Sequence, residues 1–443
     1  MDPLFIAIIV AVFTLIVLFS GIPIAFGLSF VSIALLVAFE GFQMLDVFAE
    51  TFYAGLNSFV LLSIPMFILM GMAVANSPAG KDLYTGLDRW LWRLPGGLVI
   101  SNIGACSIFA ALSGSSPATC AAIGTMGIPE MRKRGYSDQI ATGTIAAGGT
   151  LGVLIPPSIV LIVYGIATGT SIGRLFLCGL VPGFMLAGMF AIWALIHSYF
   201  IDKDSAKALK NRTPPTLKEK IEVLPRILPF LAIIAGVLYV LYGGVATPSE
   251  ASGVGAFLVF VLIAVVYKIY QPKKIWNIVK VSMKESVMIM FIIAASYLFA
   301  FTLSQLYVTQ SLAQSMVELS SNKWVVFILI NIFLLIAGFF LPPVAVIVMT
   351  SAILLPVITQ LGFDPYWFAI VFTINMEIGL ITPPVGLNLY IIKGITPDVS
   401  LSEILKGSIP FMIIMALAIL ILCIFPEIVT WLPDKIMGKS LGF

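Results

Sequence analysis

The sequence predicts an all-α polytopic membrane protein that consists of two inverted repeats. Of its 443 residues, 60% are hydrophobic and only 10% are charged, which is far from the composition of a soluble domain. Within this apolar sequence, the break GVLIPP at residues 152–157 is answered by GLITPP at residues 379–384, 227 positions later. A proline pair at bilayer depth leaves backbone carbonyls that lipid cannot satisfy, so each break should face protein, water or an ion.

Apolar runs long enough to cross a bilayer, which takes ~20 residues, define the predicted spans. There are ten of them, at residues 4–20, 22–40, 57–76, 138–169, 175–200, 228–244, 250–270, 284–304, 366–394 and 408–426. Because this number is even, both chain termini should lie on the same side of the membrane.

Two further apolar runs, at residues 95–129 and 324–358, do not fit as ordinary crossings. The sequence SGSSP at residues 113–117 interrupts the first run, and LPP at residues 341–343 interrupts the second. We therefore expect both runs to form re-entrant helical hairpins whose tips stop inside the membrane.

Each predicted repeat combines one hairpin with one broken transmembrane helix. In chain order, the parts are a first repeat at 1–200 with hairpin 95–129 and broken helix 138–169, a cytoplasmic linker at 201–226, and a second repeat at 227–443 with hairpin 324–358 and broken helix 366–394. Residues 118–157 share six identities with the sequence 227 positions later, and five of the six are Gly or Pro, where backbone geometry restricts the residue type. The alternative is two unrelated proline-rich membrane segments.

The distribution of Lys and Arg predicts the orientation, because cytoplasmic loops of membrane proteins are enriched in both. If the linker is cytoplasmic, the alternation of spans places 20 of the 24 Lys and Arg residues inside. The segments predicted to be inside are 78–93, 130–137, 201–226, 266–284 and 393–407. Both termini should then be periplasmic.

Composition also disfavours several classes of function. The chain has one histidine, His197, and four cysteines without CxxC spacing, so neither a zinc site nor a disulfide framework is expected. The sequence has no GxxxxGK[ST] loop, which argues against an ATP-driven pump acting alone. An intramembrane enzyme is a remote alternative, because no catalytic constellation is evident. We therefore expect a protein that is not an enzyme and has no nucleic-acid partner.

Hydroxyl side chains are concentrated at the tip of the first predicted hairpin. They are Ser113, Ser115, Ser116 and Thr119. Hydroxyls and freed carbonyls are oxygen ligands that suit Na⁺, while the N–H groups at the start of a half-helix favour an anionic group. Breaks of this kind in matching halves are typical of the binding site of a membrane transporter. The alternative is a small-residue patch that only packs helices.

Three more polar residues lie close to the breaks. Ser158 follows the first proline pair, and Asn388 lies about one turn into the helix after the second, where either could face a substrate or a neighbouring helix. Glu377 lies two residues before Gly379. A carboxylate at this depth is a candidate for function. The alternatives are an acid near the interface of a tilted helix or one paired with a buried donor, so its role stays open.

The second hairpin tip, residues 341–345, offers backbone groups but no hydroxyl until Thr350. Thr382 in the second break could complete a cation site there, built mostly of carbonyls. The alternative is a helix that is merely kinked.

Four motifs carry a resemblance to a known family. They are LSIPMF at 62–67, SGSSPAT at 113–119, LIPPS at 154–158 and GLITPPVG at 379–386. With these motifs in this order, the chain resembles the large membrane subunit of the tripartite ATP-independent periplasmic (TRAP) transporters over nearly its whole length. The resemblance implies an elevator-type importer in the bacterial inner membrane that couples uptake of a small organic acid to Na⁺. It also implies two partners, a small membrane subunit on a separate chain and a periplasmic substrate-binding protein.

The resemblance further implies which residues bind the ions. One Na⁺ site would use Ser113 and Ser115 with carbonyls of Gly152, Ile155 and Pro157, and the other would use Gly379, Thr382 and Pro384 with the second hairpin tip. Ser116, Thr119, Ser158 and Asn388 are the candidate substrate contacts. The hairpins and broken helices would move, while 4–40, 175–200, 228–270 and 408–426 would form a static scaffold.

A single-polypeptide ion-coupled carboxylate transporter of related fold is the main alternative, and it would work without a binding protein. C4-dicarboxylates, keto acids, sialic acid and other organic acids are all compatible with the sequence. The number of Na⁺ ions per cycle and the oligomeric state are also open.

Overall fold

The computed structural model describes residues 3–92, 96–197, 214–318 and 322–439, and within these ranges every regular element is helical. The helices of the first half are α1 Pro3–Phe19, α2 Ile24–Glu40, α3 Leu45–Leu56, α4 Ser63–Ala75, α5 Ala79–Trp90, α6 Gly97–Ser113, α7 Ser116–Lys133, α8 Asp138–Leu154, α9 Ile159–Thr168 and α10 Ile172–Ile196. Those of the second half are α11 Leu217–Tyr242, α12 Pro248–Tyr267, α13 Pro272–Gln305, α14 Val308–Glu318, α15 Lys323–Phe340, α16 Pro343–Gln360, α17 Pro365–Leu380, α18 Leu387–Ile395, α19 Leu401–Ile424 and α20 Glu427–Met437.

The helix bounds repeat along the chain with the predicted offset. Helix α7 spans 116–133 and α16 spans 343–360, so both of their ends differ by 227 residues. Hairpin 1 is α6 and α7, and hairpin 2 is α15 and α16. Broken helix 1 is α8 and α9, and broken helix 2 is α17 and α18. The all-α polytopic fold with two hairpins and two broken helices is confirmed.

The described helices that are long and apolar enough to cross a membrane are a different set from the ten predicted spans, because they include both helices of hairpin 2. By length and composition, seven described helices qualify, and two bent pairs raise the number to nine. Helices α1 and α2 are apolar but have only 17 residues each. The repeats also differ locally, because α3 and α4 are set at 57° to each other whereas the equivalent α13 is one continuous helix of 34 residues.

Local sequence explains the sharp turn at the tip of hairpin 1. Helix α6 ends at Gly114, which has the positive φ of 59° that glycine adopts without strain, and its N–H bonds the Ala110 carbonyl at 2.8 Å. Helix α7 restarts at once, because the Ser115 hydroxyl accepts a hydrogen bond from the Ala118 N–H and Pro117 occupies the first turn.

The proline pairs interrupt the broken helices because proline supplies no N–H to the helix. Helix α8 ends at Leu154, and α9 begins at Ile159 after a bend of 41°. In broken helix 2, Gly386 has a φ of 54° and leads into α18. The peptide bonds Pro156-Pro157 and Pro383-Pro384 are both cis.

The two repeats are interlocked through their half-helices. Helix α7 of hairpin 1 packs against α18 of broken helix 2, and α16 of hairpin 2 packs against α9 of broken helix 1. One extended hydrophobic core joins these elements, while a second, smaller core joins α1, α2 and α13. Each hairpin therefore contacts a helix of the other repeat.

Two helices that the sequence assigned to the scaffold, α10 and α19, pack against the hairpins and broken helices. Helix α19 lies along α8, where a Cβ on Gly407 would stand 1.9 Å from the Gln139 carbonyl oxygen. Helix α10 contacts α6, α8, α9 and α17, and a Cβ on Gly179 would stand 2.4 Å from the Leu154 carbonyl oxygen. The backbones therefore approach closely at these glycines, and both helices pack tightly against the hairpin and broken-helix elements.

The linker between the two halves ends earlier in the structure than the sequence predicts. Helix α11 begins at Leu217, because Thr216 and Glu219 form a reciprocal capping box that starts the helix before its apolar part. Residues 201–213 of the linker lie outside the described residues, as does residue 95 at the predicted start of hairpin 1.

Segments predicted to share the cytoplasmic face do contact each other. Arg134 on the loop after hairpin 1 pairs with Asp88 of α5 at 3.3 Å, and Arg132 pairs with Asp398 after broken helix 2. Asp82 of α5 accepts a hydrogen bond from Tyr267 at 2.8 Å and forms an ion pair with Arg226. These contacts bring the basic segments together.

Candidate functional site

A cavity of about 240 Å³ lies between the two hairpin tips. Its walls include the first residues of four helices, Ser116 of α7, Ile159 of α9, Pro343 of α16 and Leu387 of α18. Helices α4 and α13 close it on another side. The partial positive charge of a helix N-terminus lies in its first turn, so four such ends surround one space.

Oxygen atoms gather at the hairpin 1 tip, beside the first break. The Ser113 and Thr119 hydroxyl oxygens are 3.0 Å apart. The Thr119 hydroxyl donates to the Ser115 carbonyl at 2.9 Å, and Ser113 approaches the same carbonyl at 3.4 Å. Three oxygens from one hairpin tip thus form a compact cluster, which we call the tip-1 oxygen cluster.

Broken helix 1 contacts the tip-1 oxygen cluster directly. A Cβ on Gly152 would stand 3.3 Å from both the Ser115 carbonyl oxygen and the Thr119 hydroxyl. A Cβ on Gly114 would stand 3.0 Å from the Pro157 carbonyl oxygen. The structure therefore brings together the predicted ligands Ser113, Ser115, Gly152 and Pro157.

The side chains of two predicted first-site residues make contacts of their own in the structure. The Ser115 hydroxyl caps α7 by accepting from Ala118, so Ser115 presents its carbonyl rather than its side chain to the cluster. Ile155 lies in the break, and its side chain packs towards α10, where a Cβ on Gly183 would approach it to 2.9 Å.

The break in broken helix 2 also contacts the tip of hairpin 2, and this contact region contains fewer hydroxyl groups than the first. The Val385 N–H donates to the Phe339 carbonyl at 3.3 Å, and a Cβ on Gly379 would stand 2.5 Å from the Gly338 carbonyl oxygen. The Thr382 hydroxyl donates to the Ile378 carbonyl of its own helix at 2.6 Å. Pro384 lies in the exposed part of this break.

A hydrogen bond joins the repeats at the centre of the site. The Ser116 hydroxyl, at the start of α7, donates to Oε2 of Glu377 on α17 at 2.6 Å. Both side chains are fully buried and both line the cavity. Glu377 is thus paired with a buried donor and also faces the cavity, which combines two of the roles that the sequence left open.

Of the four predicted substrate contacts, only Ser116 lines the cavity. Thr119 belongs to the tip-1 oxygen cluster. The Ser158 hydroxyl caps α9 by accepting from the Leu161 N–H at 3.2 Å. The Asn388 amide donates to the Ala146 carbonyl of broken helix 1 at 3.3 Å, and its side chain is fully buried. Ser158 thus serves as a helix cap, and Asn388 takes part in helix packing.

Glu285 on α13 is an ionisable residue of the cavity wall that sequence reasoning missed. It lines the cavity together with Met288 and Ile289, which lie three and four positions later on the same helix face. The signal was available as a carboxylate inside the apolar run 284–304, but the neighbouring Lys280 and Lys284 are typical of a membrane interface.

Comparison with known proteins identifies the family. Residues 9–428 match the model of the tripartite ATP-independent periplasmic transporter, DctM component. The C4-dicarboxylate TRAP transporter large permease protein DctM of Vibrio cholerae serotype O1 is 34% identical over 441 residues, which cover 95% of this chain and 96% of that protein. The protein of the same name from Pseudomonas aeruginosa is 36% identical over 376 residues, or 85% of this chain and 86% of that protein.

Among solved structures, the YdaH transporter of Alcanivorax borkumensis has the same fold. Its TM-score is 0.66 at 13% identity, with 96% of this chain and 99% of that chain covered. A shared fold at this identity says nothing about the substrate. The family assignment means that the protein is a multi-pass inner-membrane transporter and not an enzyme, and that it works with a periplasmic binding protein and a small membrane subunit. The chain therefore belongs to the large permease subunits of the TRAP transporters, as its four sequence motifs predicted.

Proposed function

We propose that this permease imports a small organic acid by Na⁺-coupled secondary active transport. The observation that supports the proposal best is the cavity where four helix N-termini meet beside an oxygen cluster. Helix N-termini bind carboxylates through backbone N–H groups and the helix dipole, without a basic side chain. The substrate carboxylate would bind there.

Na⁺ would bind at the two breaks as a co-transported ion. At the first break, neutral oxygens come from the hydroxyls of Ser113 and Thr119 and from the Ser115 carbonyl. The backbone of Gly152 and Pro157 lies next to them. Thr382 would supply a hydroxyl at the second. Cations at both breaks would offset the negative charge of the substrate and favour the state in which the body can move.

The transport step would be an elevator movement of one body against a scaffold. The moving body would comprise hairpins 1 and 2, both broken helices, α10 and α19, since these elements pack together. The scaffold would comprise α1, α2, α11, α12 and α13 with their neighbours. Gly71 of α4 would lie at the boundary with hairpin 1, because a Cβ there would stand 2.7 Å from the Ser113 carbonyl oxygen.

The segments joined by the ionic contacts of Arg132, Arg134 and Arg226 would face the cytoplasm, with both termini periplasmic. The asymmetry of Lys and Arg supports this orientation. A cysteine at position 133 should then be labelled only from the cytoplasm, and one at position 363 only from the periplasm.

Uptake into proteoliposomes tests the proposed function. The permease, reconstituted with its small subunit and binding protein, should accumulate an organic acid only under an inward Na⁺ gradient. Equal accumulation with K⁺ in place of Na⁺ would refute the coupling. Uptake that persists without the binding protein would favour the single-polypeptide alternative.

A further inference from the structure

The cavity carries two acidic side chains. Glu377 enters from broken helix 2, and Glu285 enters from α13. Among the described residues that line the cavity, none is Lys, Arg or His. The acidic side chains therefore have no basic neighbour in the wall, although the helix N-termini nearby suit an anion.

Glu377 presents a polar atom that the protein does not satisfy. Its Oε2 accepts from Ser116 at 2.6 Å, while Oε1 has no hydrogen-bond partner among the described residues. The residue is fully buried and lines the cavity. A buried acceptor without a donor is costly, so a donor group on a ligand would be stabilised at Oε1.

Glu285 faces the same cavity from the scaffold. It is not part of any salt bridge among the described residues. Its carboxylate and that of Glu377 belong to different bodies of the proposed mechanism, so a ligand that contacts both would also join the scaffold to the moving body.

We propose that the substrate is a zwitterionic organic acid, with a cationic nitrogen that binds between Glu285 and Glu377. The inference rests on the proposed function, since the substrate carboxylate would bind at the helix N-termini. A dicarboxylate of the same length would place its second negative charge beside these two acidic side chains, with no basic side chain in the wall to pair with it, which opposes binding.

Three probes of equal carbon number test the proposal, 4-aminobutyrate, butyrate and succinate. They differ only at the fourth carbon, which is a protonated aminomethyl group, a methyl group or a carboxylate. Binding to the purified permease is measured by calorimetry with Na⁺ present. We expect 4-aminobutyrate to bind about tenfold more tightly than either other probe, as one charge-assisted hydrogen bond would give.

Two variants test whether Glu285 causes the preference for 4-aminobutyrate. Glu285→Gln keeps the shape and removes the charge, and it should abolish the preference for 4-aminobutyrate. Glu222→Gln changes an exposed carboxylate on α11, outside the cavity, and should leave the preference intact. Melting temperatures of both variants show that they are folded.

The results separate this inference from the proposed function. Equal or tighter binding of succinate or butyrate, no binding of 4-aminobutyrate, or a preference that survives Glu285→Gln would each overturn the zwitterion proposal. Na⁺-driven uptake of another organic acid would then still support the transport function. Conversely, a preference for 4-aminobutyrate that is independent of Na⁺ would support the zwitterion proposal and contradict the proposed Na⁺ coupling.

Discussion

Replacing Thr119 by valine tests the tip-1 oxygen cluster, because valine keeps the shape of threonine and removes its hydroxyl. That hydroxyl lies 2.9 Å from the Ser115 carbonyl oxygen and 3.0 Å from the Ser113 hydroxyl, and the side chain is fully buried. A hydrogen bond or ligand contact to a charged group contributes about 1.5–3 kcal/mol. Since about 1.4 kcal/mol is tenfold in affinity, the Na⁺ concentration at half-maximal uptake should rise about ten- to hundredfold.

Uptake by reconstituted protein is measured across a Na⁺ series at saturating substrate, and then across a substrate series at saturating Na⁺. Thr125→Val is the control, because Thr125 lies on the same helix, is exposed, and bonds only the Ala122 carbonyl. An unchanged Na⁺ midpoint with a raised substrate KM would refute the cation assignment. It would instead support the substrate contact that the sequence alone predicted for Thr119.

Three further substitutions test the packing, the second break and the ionic contacts. Gly407→Ala should lower the unfolding free energy by about 1–3 kcal/mol, because its Cβ would stand 1.9 Å from a backbone oxygen. The control Gly253→Ala places its Cβ in open space and should be neutral or stabilising. Equal melting temperatures of the two variants would refute this packing. Thr382→Val should lower the Na⁺ cooperativity of uptake, and a wild-type Hill slope would mean that the second break is structural only. Arg132 holds the pKa of Asp398 below its usual value, so the contribution of that carboxylate is lost only as pH falls through the lowered pKa. The melting-temperature difference between wild type and Asp398→Asn should thus stay constant from pH 8 to pH 5, and a smaller difference at pH 5 would refute the pairing.

The hairpins and breaks were predictable because their signals are local. Gly114, Pro117 and the two proline pairs restrict the backbone wherever they occur, so a helix has to end or restart beside them. The repeat offset follows from the same residues. No tertiary information is needed for these features, and the observed bounds of both hairpins and both broken helices lie within a few residues of the predicted ones.

The positions of α10 and α19 could not be predicted in the same way. A continuous apolar helix has the same composition whether it faces lipid or protein, since lipid tails are as apolar as a leucine core. What distinguishes α19 is the contact of Gly407 with the backbone of α8, and the partner of a small residue is visible only in three dimensions. Glu285 was missed for a related reason, because its cavity is formed by helices distant in sequence.

The two breaks provide similar geometry with different chemistry. At the first break, the hydroxyls belong to hairpin 1, and the Thr119 hydroxyl donates its hydrogen to a carbonyl, which leaves oxygen lone pairs for a cation. At the second break, the hydroxyl of Thr382 belongs to the broken helix and donates to Ile378, while the Phe339 carbonyl of hairpin 2 already accepts from Val385. In the proposed mechanism, a cation at the first break would therefore tie hairpin 1 to broken helix 1. A cation at the second break would mainly order broken helix 2, so the two ions would stabilise different parts of the moving body.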